Sequence, residues 1–344
     1  MKFPKSMKAL SMLVLSSALL ATAGCGSSKP SSSGGEQYSK EKPLVIKFSH
    51  VTTADSPKGK AADKFKELME QKTGGKVKVE TYPSSQLYGD KDELENLQLG
   101  NVQIIAPSVT KLVGLNPQFQ IVDMPFLFKN REAVIKFWDG ELGNKLMNSL
   151  DSKNIKGIAM WENGFKHFTS NKPIAKPEDF KGQKFRTQAG KVLEAQFKAL
   201  GAGAATIPFG ETYTALQQKT VDGQENTFNN MDTQKYAEVQ KYLLTSEHGR
   251  LDYVVLVNKQ WYDKLPQDIK TAFDAAMKEA TEFERKLAVE LDKKSFENLK
   301  NSKKLEIINL TPEAREKFVK QMESVYNEFE KVVGKDLIDG VKKL

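Results

Sequence analysis

One arginine of this sequence lies at the end of a predicted strand, where its side chain could bind a ligand. Residues 184–188 read as a strand, Gly190 interrupts it, and residues 191–200 follow with helical periodicity. Arg186 therefore precedes a strand-to-helix turn, the place where open α/β sheets form their ligand crevice. A guanidinium there offers two parallel donors to a carboxylate. Most arginines are solvated surface charges, so the rest of the chain has to decide whether Arg186 is a ligand-binding residue or a surface residue.

The segments that would position Arg186 alternate between strands and helices. Before residue 150, strands and helices are predicted in turn at 45–48, 61–72, 76–80, 92–100 and 102–106. After residue 150 they are predicted at 155–159, 184–188, 191–200, 204–208 and 211–218. This rhythm predicts an α/β fold of two similar lobes, each with a largely parallel sheet covered by helices, and a ligand cleft between the lobes.

One long helix is predicted after the second lobe. Between Pro266 and about residue 298 there is no glycine and no further proline, and apolar residues recur at three- and four-residue steps. Such a helix is about 45–50 Å long and would span both lobes. A strand at 304–310 and a final amphipathic helix follow. We expect one lobe to comprise residues 43–164 and about 252–290, and the other residues 165–251 and about 291–344.

The N-terminus carries the signature of an exported and anchored protein. Lysines and a 13-residue apolar run precede Thr22-Ala23-Gly24-Cys25, which resembles the lipobox of bacterial lipoproteins. Residues 1–24 are therefore predicted to be a signal peptide, and Cys25, the only cysteine, to be lipidated. Residues 25–42, rich in Ser and Gly, are predicted to be a flexible tether. The protein would be anchored to a bacterial membrane on its extracytoplasmic side, in the periplasm or at the cell surface.

Composition and motifs make several other functions improbable. The net charge is +8, or +5 without the three lysines that precede Cys25, and no basic cluster alternates with aromatic residues as in nucleic-acid-binding proteins. His50, His167 and His248 lie too far apart for metal-ligand spacing, and no hydrolase, nucleotide-binding or zincin motif occurs. We therefore expect neither metal nor cofactor, and favour a binding protein over an enzyme or a signalling lipoprotein.

Four longer motifs occur in order between about residues 44 and 265: YPSSQLYGDKDELENLQLGNVQ, WENGFKHFTSNKPI, FKGQKFRTQAGKVLEAQFKALGA and PFGETYTALQQKTVDGQEN. They resemble the motifs of one family, the DctP-type substrate-binding proteins of tripartite ATP-independent periplasmic (TRAP) transporters. The resemblance implies a two-lobed periplasmic-binding-protein-like fold, a small organic acid as ligand and the TRAP membrane subunits as partners.

The resemblance also assigns roles to residues. Arg186 matches the family arginine that binds a substrate carboxylate, and Asn226 matches the family asparagine, whose amide can both donate and accept. Phe209 matches an aromatic wall of the pocket, with core packing as the alternative. Ser108 and Asn230 are weaker candidates for ligand contacts.

Lys166 separates this chain from part of the family. Relatives that resemble sialic-acid binders carry an arginine after Asn163-Gly164-Phe165, whereas those that resemble C4-dicarboxylate binders commonly carry lysine, as here. We therefore expect Lys166 to serve a second carboxylate, although a solvated surface lysine is the alternative. Succinate, fumarate and malate are the expected ligands, and aromatic acids or 2-oxo monoacids stay open.

Overall fold

The computed structural model describes residues 38–344, so the predicted signal peptide, Cys25 and most of the predicted tether lie outside the described residues. Nine strands occur in this range. Their bounds are β1 Leu44–Ser49, β2 Val77–Tyr82, β3 Ile104–Ile105, β4 Ile155–Ser170, β5 Lys184–Thr187, β6 Gly203–Thr206, β7 Gly223–Asn226, β8 Tyr242–Asn258 and β9 Glu306–Asn309. Each strand expected from the sequence overlaps one of these, and β7 and β8 have no predicted counterpart.

The strands form one sheet whose order is β2-β1-β3-β8-β4-β7-β5-β6, with β9 on β8. The short outer strands pair in parallel, as β1 with β2 and β5 with β6, which agrees with the expected βαβ rhythm. Strands β4 and β8 are 16 and 17 residues long and pair antiparallel along most of their length. The expectation of largely parallel sheets is therefore wrong for the centre of the molecule, where this antiparallel pair joins the two parallel sets.

Twelve α-helices flank this sheet in the described part of the chain. They are α1 Pro57–Lys72, α2 Glu93–Leu99, α3 Arg131–Asp139, α4 Glu141–Asn148, α5 Lys191–Ala199, α6 Thr212–Gln217, α7 Phe228–Thr233, α8 Lys259–Asp263, α9 Gln267–Asn301, α10 Pro312–Gln321, α11 Glu323–Val333 and α12 Lys335–Lys342. The single helix predicted at the C-terminus is thus three helices, and Gly334, with φ of 103°, separates the last two.

Helix α9 is the predicted long helix, and its 35 residues follow Pro266 without interruption. It packs against α1, β4 and α7, which belong to different parts of the sheet. Its buried face includes Ile269, Phe273, Met277 and Ala280, which join the core beneath β1 and β2. Within residues 38–344 no helix is both long and apolar enough to cross a lipid bilayer.

Candidate binding site

Four of the six predicted binding residues, Ser108, Phe209, Asn226 and Asn230, line a narrow cavity between the two parallel strand sets. Arg186 and Lys166 are not among its lining residues. The free volume of the cavity is about 20 Å³, so its walls nearly meet. Twelve residues line it: Val51, Thr52, Asp90, Glu93, Ser108, Lys111, Gln188, Phe209, Asn226, Asn230, Leu251 and Tyr253. The first six come from the β1–β3 half of the chain and the next four from the β5–β7 half, so both halves contribute walls.

A wider groove of about 600 Å³ lies elsewhere, against α4, β4 and α9. Its walls include Met147, Met160 and Arg285, and none of the six predicted binding residues. The smaller cavity is the better candidate, because it brings together buried polar atoms that have no partner within the protein.

Arg186 lies near the end of β5, as predicted, and is fully buried. Its Nε donates to the carbonyl oxygen of Ile207 at 2.9 Å, which holds the guanidinium in one orientation. Its two terminal nitrogens are buried and have no hydrogen-bond partner within the protein. Burial lowers the pKa of Arg186, and the charges of Tyr236 and Asp90 oppose this shift only in part. A buried fork of two unpaired donors is suited to a carboxylate.

Asn226 ends β7, the strand next to β5 in the sheet. Its Oδ1 accepts from the side chain of Asn230 at 2.8 Å, so its Nδ2 faces away from that contact and has no partner. The Oδ1 of Asn230 and the Oγ of Ser108 are also buried without partners. These three side chains line the cavity and leave one donor, one acceptor and one hydroxyl available to a ligand.

Phe209 closes the cavity from the β5–β7 half. It begins the 3₁₀ turn Phe209–Glu211 and is 8% exposed, so its ring both packs and lines the site. Its backbone N–H donates to Oδ2 of Asp90 at 3.2 Å, and that oxygen also pairs with Lys111 at 2.9 Å. Asp90 therefore links the two halves of the molecule across the cavity.

Lys166, which was predicted to serve a second carboxylate, does not line this cavity. Its ammonium group is fully buried and contacts Oε1 of Glu225 at 2.8 Å and Oδ1 of Asp123 at 3.2 Å. Burial opposes ionisation of Glu225, but Lys166 and the hydrogen bond from His248 outweigh it and lower the pKa of Glu225 to about 2. The sequence did not reveal this, because the two carboxylates lie 43 and 59 residues away along the chain.

Comparison with known proteins identifies the family. The profile of the DctP family, described as bacterial extracellular solute-binding protein, family 7, matches residues 48–332. The chain belongs to this family. The predicted family membership is confirmed, and with it the two-lobed α/β fold.

Three similar proteins show how close the relationship is. The C4-dicarboxylate-binding periplasmic protein DctP of Rhodobacter capsulatus is 47% identical over 301 residues, which cover 87% of this chain and 90% of that protein. A TRAP periplasmic solute-binding protein from Shewanella oneidensis, solved with succinate, is 42% identical with a TM-score of 0.86 and coverages of 88% and 99%. One from Pseudomonas aeruginosa, solved with L-malate, is 38% identical with a TM-score of 0.81 and coverages of 83% and 100%.

Other polar residues at the site of this solute-binding protein were not predicted. Lys58, near the start of α1, is fully buried, and its Nζ lies 3.7 Å from the centre of the Tyr253 ring and donates to Ala106 O at 2.8 Å. Glu93, the first residue of α2, lines the cavity with both carboxyl oxygens unpartnered. One signal for Lys58 was available: a lysine in the first helical turn opposes the helix dipole, so it needs another reason to be there.

The chemistry of this site is recognition through hydrogen bonds and charge. An asparagine pair, a hydroxyl and an aromatic wall line the cavity. The buried guanidinium fork of Arg186 lies within the electrostatic reach of Asp90, which is one of the lining residues. In residues 38–344, no three His, Cys, Asp or Glu side chains are grouped so that they could hold a metal ion. These donors fit a small organic acid held at one end by Arg186.

Proposed function

We propose that this protein captures a small dicarboxylate, such as succinate, fumarate or malate, and delivers it to the membrane subunits of a TRAP transporter. The observation that carries the proposal is the pair of terminal nitrogens on Arg186, buried and unpartnered at the end of a strand. A buried charge without partners is unfavourable, and a carboxylate that accepts from both nitrogens removes this cost. An anion is therefore the natural ligand of the site.

The relatives support a dicarboxylate in particular. The R. capsulatus protein carries C4-dicarboxylate binding in its name, and the two solved relatives contain succinate and L-malate. Each of these ligands has two carboxylates separated by two carbons. Such a short ligand could contact both walls of a cavity whose opposite sides come from two halves of the chain.

We propose that Arg186 binds one carboxylate in two-pronged fashion and that the Nδ2 of Asn226 donates to the same group. Ser108 and Asn230 would contact the ligand backbone or a hydroxyl substituent, and Phe209 would exclude water from one face. The direct contact predicted for Lys166 stays a prediction. The two carboxylates that surround its ammonium group favour a supporting role, in which Lys166 fixes the strand that carries Asn226.

Export and anchoring complete the proposal. The family consists of extracellular solute-binding proteins, which agrees with the predicted signal peptide. We propose that Cys25 carries the lipid that holds the protein at the membrane, near the transporter subunits that it serves. The ligand would leave the site chemically unchanged, so no enzymatic turnover is expected.

The test is a calorimetric titration of the purified protein with succinate, fumarate and malate, and with butyrate and pyruvate as monocarboxylates. Saturable binding of one or more dicarboxylates, with the ligand recovered unchanged by nuclear magnetic resonance, supports the proposal. Tighter binding of pyruvate or an aromatic acid would instead favour a monocarboxylate binder. Conversion of a ligand during incubation would favour an enzyme.

A further inference from the structure

An acidic side chain lies inside the cavity that we propose for an anion. Glu93 is 1% exposed, lines the cavity and has no hydrogen-bond partner for either carboxyl oxygen. As an ionised group it would be buried without a hydrogen bond and would repel a bound carboxylate. As a neutral acid it could instead donate a hydrogen bond to that carboxylate.

A cation lies on the same side of the cavity. Lys58 forms no ion pair within the described residues, and one of its three hydrogens is used by the carbonyl oxygen of Ala106. Its ammonium group lies over the face of Tyr253, and Tyr253 lines the cavity. Lys58 and Glu93 come from the β1–β3 half of the chain, whereas Arg186 comes from the β5–β7 half. The two cations therefore belong to different halves of the chain.

The charged side chains at the site that are not neutralised by an ion pair determine which ligand charge the site favours. Lys111 and Asp90 pair with each other at 2.9 Å and cancel. Arg186, Lys58 and Glu93 are left. With Glu93 ionised they sum to one positive charge, which matches a monoanion. With Glu93 neutral they sum to two, which matches a dianion.

We propose that Lys58 and Glu93 form the subsite for the second carboxylate of the ligand. Lys58 supplies the charge and Glu93 binds as the neutral acid, so that the pair takes up protons from solvent when the ligand binds. This inference rests on the proposed function, because it assumes a dicarboxylate with its other end on Arg186. It assigns to Lys58 the role that the sequence predicted for Lys166.

The surroundings of the pair set the pH at which the uptake is measurable. Lys111 and Asp90 face Glu93, while Glu284 of α9 and His50 face Lys58. Burial raises the pKa of Glu93 to about 8, although Lys58 and Lys111 oppose the shift. Burial also lowers the pKa of Lys58 to about 8, against the carboxyl groups of Glu93, Asp90 and Glu284. The ligand-free pair therefore loses protons near pH 8, and a bound dianion retains them.

The first experiment removes the cation and compares two ligands of equal length. Lys58→Met should weaken succinate binding by at least ~30-fold, the lower bound for truncating one partner of a desolvated charge pair. Butyrate, which has no second carboxylate, should lose far less. Lys60→Met is the matched control, because Lys60 is on the same helix but exposed, and it should leave both affinities unchanged. Equal losses for both ligands, or loss of the succinate preference in Lys166→Met alone, would overturn the assignment.

The second experiment counts protons and does not depend on the Lys58 variant folding. Titrations of the wild type with succinate, in buffers of different ionisation enthalpy, should show uptake of about one proton or more at pH 9 and far less at pH 6.5. Glu93→Gln should take up about one proton fewer than the wild type at pH 9, whereas Glu95→Gln, which alters an exposed neighbour, should match the wild type.

The outcomes separate this inference from the proposed function. If the wild type binds no dicarboxylate, the proposed function itself fails. If it binds succinate without proton uptake at pH 9, or if Glu93→Gln takes up as many protons as the wild type, only the Lys58–Glu93 subsite is refuted.

Discussion

Replacement of Arg186 should separate ligand binding from stability, because the two should change in opposite directions. In Arg186→Met the side chain keeps most of its length but loses the fork of two buried donors that have no partner in the protein. A hydrogen bond to a charged group contributes about 1.5–3 kcal/mol, and truncating one partner of a buried charge pair costs about 2–5 kcal/mol. The affinity for succinate should therefore fall by about 30-fold to a few thousand-fold.

The ligand-free variant should be as stable as the wild type or more stable. Removing a buried guanidinium whose terminal nitrogens are unpaired removes a desolvation cost and breaks only the contact with Ile207. Succinate at a hundred times its Kd stabilises a binding protein by about 2.7 kcal/mol, and this gain should disappear in the variant. Arg186→Lys should bind nearly as weakly as Arg186→Met, since it keeps the charge but not the planar fork.

Calorimetric titration with succinate measures the affinity. Thermal unfolding with and without succinate measures the stability and the stabilisation by the ligand. Arg315→Met is the control, because Arg315 packs on Phe126 away from the cavity and should leave succinate binding unaltered. If Arg186→Met binds succinate as the wild type does, Arg186 does not contact the ligand. If it loses binding only because the protein is unfolded without ligand, Arg186 is a structural residue.

Three further predictions concern other residues. Lys166→Met should lower the free energy of unfolding by about 3–5 kcal/mol in urea titrations, because it leaves Asp123 and Glu225 buried without their cation; an unchanged midpoint would contradict this. Burial raises the pKa of Asp292 in the folded protein to about 7, above its value in the unfolded chain. The protonated carboxyl group therefore contributes stability that is fully present below the unfolded-state pKa and is lost as the pH rises through the folded-state pKa. The wild type should thus lose about 2 kcal/mol of unfolding free energy relative to Asp292→Asn when the pH is raised from 5 to 7.5. A difference between the two proteins that does not change with pH would refute the assigned titration. Cys25→Ser should move the exported protein from the membrane fraction to the soluble fraction without altering succinate affinity, and retention in the membrane fraction would exclude the lipid anchor.

Local patterns predicted the elements whose side chains alternate or recur with a clear period. Strand β2 alternates between buried and exposed residues at its start, and α9 keeps an apolar stripe without a helix breaker. Strand β8 escaped prediction because almost all of its residues are buried, so no two-residue alternation appears. Charged residues such as Arg250 and Asp252 interrupt its apolar run. They are tolerated in the interior because Arg250 pairs with both Asp252 and Glu162.

The candidate site was predictable in part for a similar reason. Arg186 lies near the end of a strand that the sequence pattern predicted, whereas Asn226 was found only through the family resemblance. The partners of Lys166 and the burial of Lys58 depend on contacts between distant segments, which no local pattern encodes. In the sequence, Lys58 and Lys166 look like ordinary surface lysines. Only the packing of the whole sheet buries their ammonium groups.

The antiparallel pair at the centre of the sheet also determines when the chain can fold. Strand β8 connects β3 to β4, so the sheet cannot be completed before residue 258 has emerged, and β9 adds its pairing only at residues 306–309. Folds dominated by such distant pairings form slowly, because long loops must close before the contacts between them stabilise anything. Nascent chains of this protein should therefore stay unfolded for most of their synthesis, which is the state that a secretion channel accepts.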